Sequence, residues 1–445
     1  MKDLTTGNEG RLILRFAMPM LAGNIFQQLY NVADSIIIGH FVGKEALAAV
    51  GASFPLIFVL IAFAIGVGMG FSVVLSQYFG AKQSGNVEKT IDTLWVFLFF
   101  SSLFITLTGI LLSRTILKAT GLPEDVLPLA VKYLHIYLSG TLLFFGFNGM
   151  TAILRGLGDS KTPLWFLIIS TIANIILDLV FVVIFGWGIA GVAWATVIAQ
   201  AGAFLAMVLW LNRHHAMINL SWRPYQFDRA IFRKSLKIGL PTGFQQTFVS
   251  LGMLAMYGIV NRFGTDAVAA FAAAGRIDSF AVMPAMNFSA ALSSFVGQNI
   301  GANQLQRVRN GMKATLVMTS LISIGGTILA WLMGKQLMMI FTTDPEVIKI
   351  GVEYLRIVCS FYIFFSAMFT FNGLLRGAGD TLIPMFITLM SLWLIRIPLS
   401  YSLSGWWGIN GIWWGIPLAW ISGAIFSYLY YKAGKWKGKG VVKIS

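Results

Sequence analysis

The chain is built from long apolar runs separated by short polar segments. About 20 consecutive apolar residues cross a bilayer as a helix. The runs show no alternation of apolar and polar side chains, which would indicate membrane strands. The pattern therefore predicts twelve transmembrane helices. They lie near residues 12–39, 47–79, 91–113, 127–154, 163–185, 188–212, 235–262, 267–299, 310–333, 347–374, 382–404 and 409–431.

The first of these segments carries a polar stripe, which is uncommon on a membrane helix. Asp34 lies inside the apolar run, and Asn31, Tyr30 and Gln27 precede it by three, four and seven residues on the same helix face. A carboxylate at such a depth costs about 2.5–3.5 kcal/mol on insertion scales, so it normally faces a cavity or a partner. We therefore predict that Asp34, Gln27, Tyr30 and Asn31 form a substrate-binding face.

The chain also contains two copies of one pattern, offset by about 221 residues. The matching segments are 43–49 with 264–270, 77–83 with 298–304, 154–159 with 375–380, and 187–191 with 407–411. Each copy holds six predicted spans, an even number, so both copies begin on the same side of the membrane. Two such lobes are typical of secondary transporters and are related by an axis along the membrane normal.

The predicted fold class is therefore an all-α polytopic membrane protein with two pseudo-symmetric six-helix lobes. We predict an N-lobe at residues 1–212, a cytoplasmic linker between the lobes at 213–234, and a C-lobe with a basic cytoplasmic tail at 235–445.

Composition agrees with this class and orients it. The chain is 57% hydrophobic and 11% charged, with a mean hydropathy of +0.78, which is too apolar for a soluble protein. The net charge of +15 concentrates in alternate loops, with a Lys and Arg bias of about threefold toward one side. We therefore predict a cell-membrane protein with both termini cytoplasmic, whose basic segments contact lipid rather than nucleic acid.

Several kinds of chemistry are not indicated. The segment 85–90 resembles a phosphate-binding loop, but Glu88 stands where glycine should precede Lys89. Cys359 is the single cysteine, and the four histidines lack metal-ligand spacing. We therefore expect no cofactor and no enzymatic reaction, and an ion gradient as the energy source.

The most informative residues break the internal repeat. Asn174 and Asp178 lie one turn apart on the fifth span, and the second copy has apolar residues where the first has Asp34 and Asp178. The two aspartates lie at similar predicted depth. A purely structural contact between the first and fifth spans is the alternative, but two acids without a nearby Lys or Arg make a poor structural pair.

The second copy has its own intramembrane charges, namely Arg276 and Asp278 on the eighth span and Arg396 on the eleventh. Because their signs are opposite, they are candidates for a structural pair. A role in gating is the alternative.

In this order along the chain, these segments resemble the multidrug and toxic compound extrusion (MATE) family. The resemblance covers essentially the whole chain. It rests on Pro19, the run from Gln27 to Asp34, Leu154–Asp159, Asn174–Asp178, Gly188–Thr196 and Arg276–Asp278. It implies a twelve-helix, two-lobe antiporter that expels cationic amphiphilic compounds in exchange for H⁺ or Na⁺.

Within that family the chain is similar to the DinF-type branch, which implies an ion-coupling site in the N-lobe. The implied residues are Asp34, Asn174, Asp178, Thr196 and a tyrosine of the fourth span, Tyr133 or alternatively Tyr137. The oxygens of Asp34, Asn174, Asp178 and Thr196 would also suit Na⁺. The other main branch places acids on spans seven and ten. Here those spans offer Gln245, Gln246 and Glu353, which favours coupling through the N-lobe.

The sequence thus predicts a secondary active multidrug efflux antiporter that functions as a monomer. The alternative is a flippase for lipids or lipid-linked oligosaccharides from the same wider superfamily. A flippase would need cationic residues in its cavity. The two N-lobe acids disfavour it, whereas Arg276 and Arg396 leave it open.

Overall fold

The computed structural model describes residues 2–119, 121–214 and 225–442. Within these ranges the chain is helical almost throughout and contains no strand. The α-helices are α1 Glu9–Ile37, α2 Lys44–Gly80, α3 Ser84–Ala119, α4 Leu127–Ser139, α5 Thr141–Gly156, α6 Lys161–Asp178, α7 Gly188–His214, α8 Arg229–Val260, α9 Thr265–Gly301, α10 Leu305–Met339, α11 Pro345–Cys359, α12 Tyr362–Gly377, α13 Leu382–Leu389, α14 Ile397–Trp407 and α15 Ile409–Ala433.

Three π-helical segments continue or link these helices, at Ile38–Val42, Leu179–Ile184 and Met390–Arg396. Each predicted span coincides with one helix or with consecutive helices, so the predicted all-helical membrane fold is confirmed. Residues 215–224 of the predicted linker and the last three residues of the predicted tail lie outside the described residues. The lobe and linker boundaries stay predictions.

The fourth and tenth spans are each broken into two helices, which the hydrophobic pattern did not predict. α4 and α5 meet at 52°, and α11 and α12 meet at 50°. The first break lies at Gly140 and the second at residues 360–361, which are equivalent positions in the two copies. Hydrophobicity alone does not reveal such a bend, because both halves remain apolar.

The described helices differ in polarity. Eight of them are long and apolar enough to cross a membrane, and each bent pair adds one span. α1 and α8, with 29 and 32 residues, are also long enough, but they are not among these eight. They are the first helix of each copy. Polar membrane helices normally face the protein interior or a cavity, so this difference agrees with the polar stripe predicted on α1.

Backbone contacts divide the chain into two units. The first unit contains Pro19–Leu75 and Gln83–Lys237, together with the start of the chain. In it, α6 and α7 pack as neighbours across a tight corner, where the rings of Phe181 and Trp187 stack with centroids 4.8 Å apart. A methyl group at Gly191 would crowd the backbone of Phe181. This close packing brings the end of α6 against the start of α7.

The second unit contains Asp3–Met18, Ser76–Lys82 and Ile238–Ser445. α9 and α12 approach so closely in it that methyl groups at Gly373 and Gly377 would overlap the carbonyl oxygens of Ser289 and Ser293.

The first turns of α1 and the last turn of α2 belong to the second unit, and the remainder of both helices belongs to the first.

The ends of α2 and α9 cross within the second unit. A methyl group at Gly80 would overlap the carbonyl oxygen of Gln298, and one at Gly301 would overlap that of Gln77. Gln77 Oε1 accepts a hydrogen bond from the Val441 amide at 2.6 Å, and Gln298 Oε1 accepts one from the Leu4 amide at 2.9 Å. The two equivalent glutamines thus bind segments from opposite ends of the chain.

Candidate ion-coupling site

The polar residues that sequence analysis selected in the first half of the chain meet inside the first unit. Asp178 is the last residue of α6 and is followed directly by the π-helical segment Leu179–Ile184. Asn174 lies one turn earlier, and both side chains are buried. π-Helical turns are rare in proteins overall, and those that do occur are often found at functional sites. Asp34 lies near the end of α1 and is half-buried.

The carboxyl groups of Asp34 and Asp178 lie within interaction range of each other. Two carboxylates are both acceptors, so these two can share a hydrogen bond only when one of them carries a proton. Each residue also has a buried Oδ1 atom without a hydrogen-bond partner. Among the described residues, neither forms an ion pair with Lys or Arg. The pair is therefore suited to hold a proton or another cation.

Hydrogen bonds extend from this pair into a ring. With its amide oriented to satisfy both neighbours, Asn174 donates to Asp178 Oδ2 at 3.1 Å and accepts from the Thr196 amide at 3.3 Å. The Thr196 hydroxyl is 3.1 Å from the hydroxyl of Tyr30. Tyr30 lies one turn before Asp34 on α1, which closes the ring. Helices α1, α6 and α7 each contribute to it.

Two tyrosines of α4 stand beside the ring. Tyr133 is buried and lies within electrostatic reach of both Asp34 and Asp178. Tyr137 lies within reach of Asp34, and the two tyrosine rings stack with centroids 6.3 Å apart. Sequence analysis named Tyr133 with Tyr137 as the alternative, and the structure brings both to the site.

The residues of the predicted substrate face lie on one continuous helix, α1, and differ in exposure and contacts. The Asn31 side chain is exposed and donates to Gln28 Oε1 at 3.4 Å. Gln27 is half-buried. Tyr30 joins the ring, although the sequence placed it only on the substrate face. Its spacing of one helical turn from Asp34 was a signal for this contact. The substrate-binding and ion-coupling roles stay predictions.

A different polar group lies in the second unit around Asp278. Its carboxylate accepts hydrogen bonds from the hydroxyls of Tyr362, at 2.5 Å, and Tyr354, at 3.5 Å. Arg396 lies within electrostatic reach, while Arg276 is exposed. Sequence analysis selected the three charged residues and missed both tyrosines, because these come from α11 and α12 and carry no charge.

The described part of the chain contains no cluster of three or more His, Cys, Asp or Glu residues that could hold a metal ion. The ring of the first unit offers two acidic side chains, an amide and hydroxyls. A monovalent coupling ion would enter it as a transported substrate.

Comparison with known proteins places these features in a family. The MatE family profile matches residues 19–180 and again 241–402, which reproduces the internal repeat. The chain is 33% identical to the "Probable multidrug resistance protein YpnP" of Bacillus subtilis strain 168, over 98% of this chain and 97% of that protein. It is 28% identical to the "Probable multidrug resistance protein NorM" of Thermotoga maritima, over 97% of this chain and 94% of that protein.

Solved structures agree in fold. One titled "Crystal structure of MATE in the bent conformation" superposes with a TM-score of 0.92, with 24% sequence identity over 97% of this chain and 96% of that chain. The similarity spans both copies of the repeat, so the two-lobe helical architecture is that of the matched structure.

Proposed function

The chain belongs to the MatE family of multidrug and toxic compound extrusion transporters, and we propose that it exports cationic amphiphilic compounds in exchange for protons. The observation that carries this proposal is that the carboxyl groups of Asp34 and Asp178 lie within interaction range of each other. They can share a proton, and neither has a basic partner among the described residues. The negative charge of these two carboxyl groups is therefore available to bind a transported ion or substrate.

Exchange follows from competition for the same oxygens. With a shared proton, the pair carries one negative charge fewer and holds a cation weakly. When the proton leaves, two carboxylates repel each other at close range and attract a cationic compound. Proton binding from outside would therefore release the compound there. The ring through Asn174, Thr196 and Tyr30 keeps the two acids in place during this exchange.

The available energy is sufficient for such an exchange. One pH unit supplies about 1.4 kcal/mol per proton, and 100 mV supplies about 2.3 kcal/mol per charge moved. Because the chain shows no ATP-binding loop, an ion gradient is the energy source that its residues support.

Na⁺ is a second candidate coupling ion. The unpartnered Oδ1 atoms of Asp34 and Asp178 are hard oxygen donors, which a hard cation prefers. Na⁺ and H⁺ would then use the same pair. No cofactor takes part in either version.

We further propose that the protein functions as a monomer in the cell membrane. From the distribution of Lys and Arg, we propose that both termini are cytoplasmic. Its relatives are named as multidrug resistance proteins, which favours export of drug-like compounds over the flippase alternative. The acidic ring of the first unit would also repel the phosphates of a lipid-linked sugar.

The test is transport in proteoliposomes that contain the purified protein. A fluorescent cation, a rhodamine methyl ester, is loaded, and a pH gradient or a Na⁺ gradient is imposed separately. We expect efflux with the pH gradient, and loss of that efflux to the level of protein-free vesicles in Asp34→Asn and Asp178→Asn. Efflux driven by Na⁺ alone would select the second coupling ion.

Asp125→Asn is the matched control, because Asp125 is an exposed aspartate outside the ring. It should transport like the unmodified protein. Full activity of both ring variants at normal protein levels would refute the assignment of the coupling site.

A further inference from the structure

The segment that follows α15 folds back onto the second unit. Gly434 ends α15 in a left-handed conformation, with φ 71°, and a short 3₁₀ turn follows at Lys435–Gly438. Trp436 in this turn is 1% exposed. Its ring stacks on that of Tyr431 with centroids 5.8 Å apart, and its Nε1 donates to the Tyr431 carbonyl at 3.0 Å. We call residues 435–442 the strap.

The strap is bound by one side chain of α2. The amide of Val441 donates to Gln77 Oε1 at 2.6 Å, and Gln77 Nε2 donates to the carbonyl of Gly377, at the end of α12, at 2.9 Å. Gln77 is 0% exposed. Its amide group therefore joins the strap to α12, and both polar atoms of that group have a partner.

Close backbone approaches add to these hydrogen bonds. A methyl group at Gly379, just after α12, would lie 2.9 Å from the carbonyl oxygen of Lys439. One at Gly440 would lie 3.1 Å from Cγ2 of Ile300, near the end of α9. The strap thus lies against the ends of three helices of the second unit, α2, α9 and α12.

The position of Gln77 in α2 connects this contact with transport. Its segment, Ser76–Lys82, belongs to the second unit, whereas the preceding part of α2 belongs to the first. Transporters built from two repeats work largely by movement of one repeat against the other. Because α2 is continuous from Lys44 to Gly80, such a movement must either bend α2 or break the contacts of Gln77.

The strap has fewer stabilising contacts than the helices beneath it. Trp436 is its only buried residue among the described positions, and Lys435 and Lys439 are exposed. Its regular structure is a single 3₁₀ turn. Segments with few buried apolar contacts open locally at a lower free energy than packed helices. We therefore expect the strap to open before these helices do.

We propose that residues 435–442 are a releasable strap, which holds the end of α2 in the second unit and leaves Gln77 once in each transport cycle. This inference rests on the proposed export function and adds a conformational step to it. A segment that only stabilises the fold would stay bound throughout the cycle. Fixing the strap in place therefore separates the two roles.

A reversible disulfide fixes the strap. Ile300 and Gly440 approach closely enough for two cysteines to be joined, so the test protein is the double variant Ile300→Cys with Gly440→Cys. The reduced protein should export the rhodamine methyl ester under a pH gradient. Oxidation with copper phenanthroline should lower this export to the level of protein-free vesicles, and dithiothreitol should restore it. Each single variant, oxidised in the same way, is the control and should keep its activity.

The unmodified protein provides an independent measurement. Trypsin added outside the vesicles reaches the molecules whose tail faces outward, and cleavage after Lys437 or Lys439 requires an open strap. At the same pH gradient, we expect this cleavage to be several-fold faster with the dye present than without it. Lys161, exposed at the start of α6, is the control site, and its cleavage rate should not change.

Full export by the oxidised double variant, with its disulfide verified by mass spectrometry, would overturn the proposal and leave the export function intact. Equal cleavage of the strap with and without dye would also overturn it, and this result decides the question if the double variant folds poorly. Absence of dye transport in the unmodified protein would instead count against the export function.

Discussion

At the scale of single residues, the structure gives Tyr30 a contact that the sequence analysis did not predict. Its hydroxyl lies 3.1 Å from the Thr196 hydroxyl, and Asn174 links Thr196 to Asp178. We therefore propose that Tyr30 helps to position the acid pair. A contact of this kind depends on α1 and α7 meeting in space, which the sequence of α1 alone does not contain.

We predict that Tyr30→Phe lowers proton-driven efflux without abolishing it. The ring keeps its volume and loses one hydrogen bond, worth about 0.5–1.5 kcal/mol, so a decrease of about two- to tenfold is expected. Thr196→Val removes the same bond from the other side. If the two residues act through one contact, the double variant should be no worse than the more damaging single variant.

The measurement is the initial rate of dye efflux at a fixed pH gradient. Tyr401→Phe is the control, because Tyr401 is exposed and keeps the aromatic face that contacts Arg262. Strictly additive losses in the double variant would argue against a shared contact.

At the scale of secondary-structure elements, the ends of α2 and α9 show how the internal repeat is used. Gly80 and Gly301 occupy equivalent positions, and each lets one helix touch the backbone of the other. Lys82 and Asn303 are also equivalent, and they are the only described non-glycine residues with positive φ, at 57° and 58°. A repeated sequence motif here produces a repeated backbone conformation.

We predict that Gly80→Ala and Gly301→Ala each destabilise the protein. The added methyl group meets a carbonyl oxygen in both cases, so the helices must separate, at a cost of about 1–3 kcal/mol. Thermal unfolding of purified protein in detergent measures this as a lower midpoint.

Gly85→Ala is the matched control, because Gly85 is an exposed helical glycine with open space beside it. That change should be neutral or slightly stabilising, since alanine favours helix. Equal midpoints for all three variants would show that the crossing tolerates a wider separation.

At the scale of the whole molecule, the chain does not divide into its units at one point. α1 begins in the second unit, and its portion from Pro19 onward belongs to the first. Within the second unit, Glu9 Oε1 accepts from Asn310 at 3.3 Å and pairs with Arg307 at 3.5 Å. These contacts tie the start of α1 to α10.

This contact predicts a pH dependence of stability. A hydrogen bond from its own backbone N–H is the main reason why the pKa of Glu9 lies below its usual 4.5; partial burial opposes this shift, and Asn310 and Arg307 add smaller contributions that lower the pKa. The stabilisation is therefore present above pH 4.5 and is lost as the pH falls through the lower, folded-state pKa.

Glu9→Gln should accordingly lower the unfolding midpoint at neutral pH by an amount that corresponds to at most about 1 kcal/mol, because the pair is partly solvated. The difference between the two proteins should shrink below pH 4.5. Glu45→Gln, which removes an exposed pair with Lys44, serves as the control. A difference that grows toward acid pH would contradict the assigned contact.

The sequence by itself determined the helical membrane class, the twelve spans and the duplication. These follow from hydrophobic length and from repeated segments, which are local and survive without tertiary contacts. It also selected Asp34, Asn174 and Asp178, because polar residues are costly at membrane depth and therefore stand out, whereas Thr196 and Tyr133 were implied by the family resemblance.

Only the tertiary structure decided which of these residues touch. It placed Tyr30 in the ring and left Asn31 exposed. It also supplied Tyr354 and Tyr362 to Asp278, bent the fourth and tenth spans, and joined the start of α1 to the second unit. The physical reason is that helix periodicity gives the face of a residue but not its partner. Partners are set by close packing at glycines, by bends and by π-helical turns, and these features depend on contacts between segments far apart in the chain.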